Sequence, residues 1–250
     1  MTSLLSLLGR GALAGGAAGV VSGGFSWLLA EPVLDRAVRL EAAREEASGG
    51  VAAAEVFSRS TQHAGLLVAA VLTGAAIGVL FAVVYAILHR RDPAGAPWRR
   101  SLTLAGAGFT GVWLLPFLRY PANPPGVGDP GTIDTRVNAW LAAIGIGVIA
   151  VVLAWRVHGW LAERGRSAPQ RQLAVTVIVL AALASLFALP DNPDAVPAPA
   201  TLVWDFRVLS AASMGLLWGG LAVGFGLLGL RATRVRTAAD MPAASTVPAA

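Results

Sequence analysis

The chain has 250 residues, of which 56% are hydrophobic and 13% charged, about half the charged share of a soluble domain. A water-soluble fold needs more polar surface than that, so a soluble enzyme or binding module is excluded. There is no cysteine, which removes disulfides, thiol catalysis and thiolate metal sites. All 19 basic residues are arginine and the net charge is +5; they fall in short runs between apolar segments, the pattern of membrane loops rather than of a nucleic-acid face.

Six apolar segments are predicted as spans, at about 11–30, 64–88, 102–118, 139–156, 172–189 and 208–230. Each is close to the ~20 helical residues needed to cross ~30 Å of hydrocarbon. Their centres carry no formal charge, as the cost of a buried charge demands. Ala-Gly-Gly-Ala-Ala-Gly at 14–19 mimics a signal-peptide cleavage site. No charge interrupts the run before Glu31 and more spans follow, so the segment is read as a span.

Arginine counting sets the orientation. The connectors 88–101 and 156–171 and the tail hold eleven arginines against three acids. The connectors 31–63, 119–138 and 190–207 hold seven arginines against eleven acids. The positive-inside rule puts the first set, and both termini, in the cytoplasm. The expectation is an all-α integral membrane protein, one transmembrane domain over residues 1–236 with a disordered tail at 237–250.

Glu31-Pro32 is read as the stop of the first span, because proline cannot continue a helix interior. The following VLDRAVRLEAAREEA is predicted as an amphipathic helix at the outer interface, broken at Gly49-Gly50. A second short helix, VAAAEVFSRSTQH, would lead into span two. This connector is either an exposed cap on the bundle or an acidic vestibule that concentrates cations. Gly11, Gly15, Gly19 and Gly23 make a small-residue ridge in span one, with Gly74 and Gly78 in span two and Gly220 and Gly224 in span six. Such ridges let helix backbones approach closely in lipid.

Two loops stand out against this background. Leu115–Asp134 reads LPFLRYPANPPGVGDPGTID, and Leu189–Asp205 reads LPDNPDAVPAPATLVWD. Asn123 and Asn192 are 69 residues apart, and the Asp-x-Arg-Val runs beginning at Asp134 and Asp205 are 71 apart. Spans 3–4 and 5–6 therefore read as a duplicated hairpin, a common transporter device, with chance similarity of two Pro/Asn loops as the competitor. The Asn residues suit rigid turns, the aspartates suit helix N-caps, and Arg136 and Arg207 should pair with acids or lipid headgroups. As a metal-ligand set this face offers Glu31, His63, Asn123, Asp134, Asn192 and Asp205, oxygen and imidazole donors suited to cobalt, nickel or magnesium. Of three histidines, His63 at the outer mouth of span two is the best placed. There is no phosphate-binding glycine loop, no His-Glu-x-x-His and no Gly-x-Ser-x-Gly, so neither ATP hydrolysis nor another enzymatic role is expected, and no resident cofactor.

The Gly-rich first span ending in Glu31-Pro32, the connector with Leu40-Glu41-Ala42, the run Pro116–Pro125 with Gly128-Asp129-Pro130, and Leu189–Pro193 together resemble the CbtA family, predicted cobalt transporter subunits. Arg-Tyr-Pro-Ala-Asn-Pro-Pro is the most specific part. The resemblance implies cobalt uptake linked to vitamin B12 synthesis, through a multi-pass protein of the cytoplasmic membrane. It also implies a small single-span, histidine-rich CbtB-like partner. The family is usually described with five spans, whereas this sequence reads as six. The competing function is a non-transporting membrane scaffold or assembly partner. No nucleic-acid partner is expected, and a homo-oligomer is left open.

Overall fold

The computed structural model describes residues 4–47, 49, 58–90, 96–125 and 127–239, with the side chains of 59, 60 and 236–239 excepted. The described chain is helical, with six helices long and apolar enough to cross a membrane. We number them α1 (Leu4–Ala47), α2 (Arg59–Leu88), α3 (Pro97–Arg119), α4 (Ile133–Glu163), α5 (Ala168–Phe187) and α6 (Ala200–Ala239). The six expected spans are all present, and several run well past their predicted ends. At 1.5 Å per residue α1 is about 66 Å long, twice the hydrocarbon thickness.

Two expectations about span ends are corrected. Glu31-Pro32 does not stop the first helix. A π turn at Ser26–Ala30, in which the Glu31 N–H donates to the Ser26 carbonyl, carries α1 past the proline to Ala47. A wide turn shifts the backbone bonding from the fourth to the fifth residue, which accommodates a proline lacking its donor. Span three repeats the device: Phe109–Leu114 form a π turn just before Pro116, with the Leu115 N–H donating to the Thr110 carbonyl. The connector helix 33–47 is thus continuous with span one rather than a separate helix. Of the second connector helix, residues 51–57 lie outside the described residues, and the remainder forms the first turn of α2, capped by Ser58, whose hydroxyl accepts from Thr61 N–H. The expected tail at 237–250 lies outside the described residues from 240 onward; α6 runs to Ala239.

Packing follows the small residues. Gly11, Gly15 and Gly19 of α1 lie directly against the carbonyls of Gly78, Gly74 and Ala70 of α2, so the helices run antiparallel with their backbones touching. Any Cβ at these positions would fall inside the facing backbone. On its other side α1 packs Ala14 and Ala18 against Gly224 and Gly220 of α6. Gly108 of α3 receives the Trp218 ring from α6, and Gly111 of α3 meets Gly147 of α4. The resulting order of contacts is α2, α1, α6, α3, α4, α5. Phe81, Tyr85, Leu104, Leu221 and Phe225 fill the core of the first four, while Leu115, Ala143, Ala150, Ala182 and Leu186 fill a second core around α4 and α5.

Arg10 near the start of α1 donates to the Phe225 carbonyl of α6 at 3.4 Å, which puts the two ends of the described chain at one end of the bundle. The connectors expected to lie outside meet at the other end: Val33 and Ala37 of α1 pack on Leu202 of α6, and Arg44 donates to the Pro197 carbonyl. The helix order bears on the repeat. Contacts of α3 with α6 and of α5 with α4 are what a two-fold exchange of the hairpins α3–α4 and α5–α6 would produce. That exchange is incomplete, because α3 touches α4 while α5 and α6 do not touch among the described residues.

The glycine seam gives a matched test. Gly15→Ala should destabilise the bundle by about 3 kcal/mol or more through backbone overlap with Gly74. Gly24→Ala, with nothing near its Cβ position, should change stability by about 0.5 kcal/mol at most. Equilibrium unfolding in mixed micelles would measure both; equal effects would contradict the close contact.

Candidate functional site

The α1–α2 seam continues past the glycines into a polar pair. Following it toward the Pro/Asn-loop end, Gly23 meets Leu67 and Ala70, then the Trp27 ring faces His63 at 6.4 Å. Glu31 stands four residues after Trp27 and so continues the line of Gly11, Gly15, Gly19, Gly23 and Trp27 along which α1 meets α2. The π turn at Ser26–Ala30 keeps the helix running through this point. Glu31 is only 8% exposed, with its Oε1 3.1 Å from His63 Nε2. Nε2 is sealed from solvent, yet it makes no aligned hydrogen bond among the described residues. A nearly buried carboxylate and an imidazole nitrogen thus face each other at ion-pair distance.

On the side of α1 that faces α6, the hydroxyls of Ser22 and Ser26 converge on Ser213. Ser22 Oγ stands 2.8 Å and Ser26 Oγ 2.9 Å from Ser213 Oγ, and Ser22 Oγ donates to the Ser213 carbonyl at 3.0 Å. Interhelical serine contacts of this kind hold helices together in lipid.

The two Pro/Asn loops form a separate arrangement. Arg207 of the second copy donates through Nε to the Ala122 carbonyl at 3.3 Å and through Nη2 to Asn123 Oδ1 at 2.8 Å in the first loop. Arg136 of the first copy reaches Asp194 Oδ2 in the second loop, with Nε 3.1 Å away, and donates through Nη2 to the Asp129 carbonyl. Each arginine of the duplicated motif therefore clasps the other copy's loop. Arg119 adds donations to the Leu186 and Leu189 carbonyls and to Asp191 Oδ1 at 2.7 Å, and Tyr120 Oη donates to the Pro190 carbonyl at 2.6 Å. Asp194 is the hub: its side chain is 4% exposed, it faces Arg136, and it accepts from the Thr132 hydroxyl at 2.7 Å. Gly128 has φ +120°, and a Cβ there would strike Arg136 and Asp194, so only glycine fits beneath the clasp. Between the loops lies a cavity of about 600 Å³.

Of the six predicted ligands, Glu31 and His63 come together. Asn123 and Asn192 line the cavity, but Asn123 Oδ1 is taken by Arg207, and Asn192 Oδ1 accepts the Asp194 N–H in a local turn. Asp134 is exposed in the first turn of α4 without serving as its cap, and Asp205 lies five residues inside α6, so neither is the N-cap expected from sequence. Helix starts were misplaced because proline and threonine at 130–132 and 197–201 begin the turns earlier. Among the described residues no three His, Asp or Glu side chains converge. Asp194, Arg119 and the serine trio escape a reading by motif; only the extra aspartate in Pro-Asp-Asn-Pro-Asp, absent from Pro-Ala-Asn-Pro-Pro, marks the hub.

Searches for similar proteins agree with the resemblance carried by these loops. No curated protein and no solved structure matches the chain. One family model does, over residues 4–229, and that range takes in the glycine seam, the Glu31–His63 pair and both clasped loops. The chain belongs to the CbtA family, described as probable cobalt transporter subunits, and is a multi-pass membrane protein.

Proposed function

We propose that the protein is the membrane permease subunit of a divalent-cation uptake system, with cobalt as cargo, and that the cation enters at Glu31 and His63. The observation that carries the reading is the geometry of that pair. Two cis ligands at about 2.1 Å from an octahedral divalent ion stand about 3 Å apart. The 3.1 Å between His63 Nε2 and Glu31 Oε1 matches this spacing, and no hydrogen bond occupies Nε2. One carboxylate and one imidazole suit first-row divalent metals and leave the remaining positions to water or to a partner's side chains. Two ligands hold an ion weakly, which suits passage better than storage.

The partner in this reading is a small single-span, histidine-rich subunit that supplies the imidazoles this chain lacks. The membrane is the cytoplasmic membrane. The Glu31–His63 end faces outward, because the opposite connectors carry the arginine excess. The arginine-lined cavity between the loops is not the cation entry, since its guanidinium groups repel cations.

Three tests follow. Cells expressing the chain with its partner should lose roughly tenfold or more of their radiolabelled cobalt uptake on Glu31→Gln or His63→Ala, with the protein level retained. Uptake unchanged by the chain, with or without its partner, would favour a scaffold. Asn123→Ala should lower the amount of folded protein while leaving uptake per molecule unchanged, because it removes an Arg207 contact rather than a ligand. Orientation can be read from cysteine reporters in this cysteine-free chain: an impermeant maleimide should label Ala195→Cys in intact cells and Ala162→Cys only after lysis. The reverse pattern would invert the topology.

A further inference from the structure

The cavity between the loops has a chemistry that the clasp does not explain. Arg119, Arg136 and Arg207 all line it, and each uses Nε and Nη2 to hold a loop. In all three, Nη1 makes no hydrogen bond among the described residues. Asp191 pairs with Arg119 at 2.7 Å and Asp194 with Arg136 at 3.1 Å, which offsets two of the three guanidinium charges, whereas Arg207 has no carboxylate partner among the described residues. The cavity is therefore a positively charged recess with unused guanidinium donors, the arrangement that recognises phosphate or carboxylate.

A second observation narrows the ligand. Ile133, Val137 and Trp140 line the cavity and are also 49%, 47% and 45% exposed on the outer surface of α4. Their spacing of four and three residues places them on one helix face. The charged recess thus opens directly onto an apolar stripe, and a tryptophan sits at the junction as interfacial tryptophans do. In a bilayer such a stripe faces acyl chains, so an amphiphile fills the recess and lies along the stripe at once, which a free anion does not. We propose that the cavity binds the phosphate of an anionic phospholipid, with Arg119, Arg136 and Arg207 around the headgroup and the acyl chains along Ile133, Val137 and Trp140. The bound lipid bridges the two copies of the loop, because its phosphate meets arginines from both, and it fastens the α4–α5 hairpin to α6 where the helices themselves do not touch.

The test uses the purified full chain in lipid-depleted detergent, with melting temperature read during titration. Thr135 lines the cavity, is exposed and makes no hydrogen bond in the clasp. Thr135→Glu adds a negative charge there, and as a first-turn acid it is tolerated by the helix. Short-chain phosphatidylglycerol should raise the melting temperature saturably, as a ligand specific to the folded state does. Thr135→Glu should raise the half-saturating concentration roughly tenfold, and Thr135→Gln should titrate like the natural chain. An equal rise with phosphatidylcholine, or with inorganic phosphate alone, would overturn the anionic-lipid assignment. So would Thr135→Glu titrating like the natural chain, or Thr135→Gln failing as badly as Thr135→Glu. The outcome does not depend on metal transport, since no divalent cation is added in the titration.

Discussion

The contact on which the rest of the structure depends is the backbone-to-backbone seam between α1 and α2. In lipid no hydrophobic force drives helices together, so association rests on close packing and interhelical polar contacts. Gly11, Gly15 and Gly19 against Gly78, Gly74 and Ala70 provide that closeness. The seam also fixes register. Four-residue steps along α1 meet the small residues of α2 until Trp27 lies beside His63, and the next step of four reaches Glu31. Packing and chemistry are in this sense one feature: a displaced glycine would misplace the carboxylate.

Proline governs both π turns, and the two have different consequences. Before Pro32 the wide turn keeps the helix running, so that Glu31 stays on the α2-facing side of α1. Before Pro116 it contains Gly111, which meets Gly147, and it leads to Arg119 and Tyr120 in the loop clasp. The duplicated Asp-x-Arg-Val runs then matter for their arginines rather than their aspartates. Arg136 and Arg207 cross between copies and convert two surface loops into one closed unit.

Much of this was legible in the sequence, for physical reasons that can be named. Six apolar runs, separated by arginine clusters, can only be helices crossing a bilayer, and the glycine spacing identified the faces that approach. The Asn and Arg repeats located the loops that meet. What the sequence could not reveal was continuity through Pro32, because a proline in an apolar run is equally compatible with a stop and with a wide turn; local bonding decides between them. Nor could it separate ligand from clasp at Asn123, whose Oδ1 suits a metal and a guanidinium equally. Asp194 went unnoticed because its importance lies in burial, which depends on the other loop. Pairing Glu31 with His63 as partners in space required the register of the seam and the continuity of α1 past Pro32.

In the proposed function Glu31 and His63 together ligate the transported cation. X-ray absorption at the cobalt edge, on the purified chain in nanodiscs with substoichiometric Co2+, reads that ligation directly. The expected spectrum has a first shell of oxygen and nitrogen at about 2.1 Å, with the outer-shell scattering of one imidazole, and loses that imidazole signal in His63→Ala. An imidazole signal that persists in His63→Ala, or a natural chain whose cobalt is surrounded by oxygen alone, would contradict it.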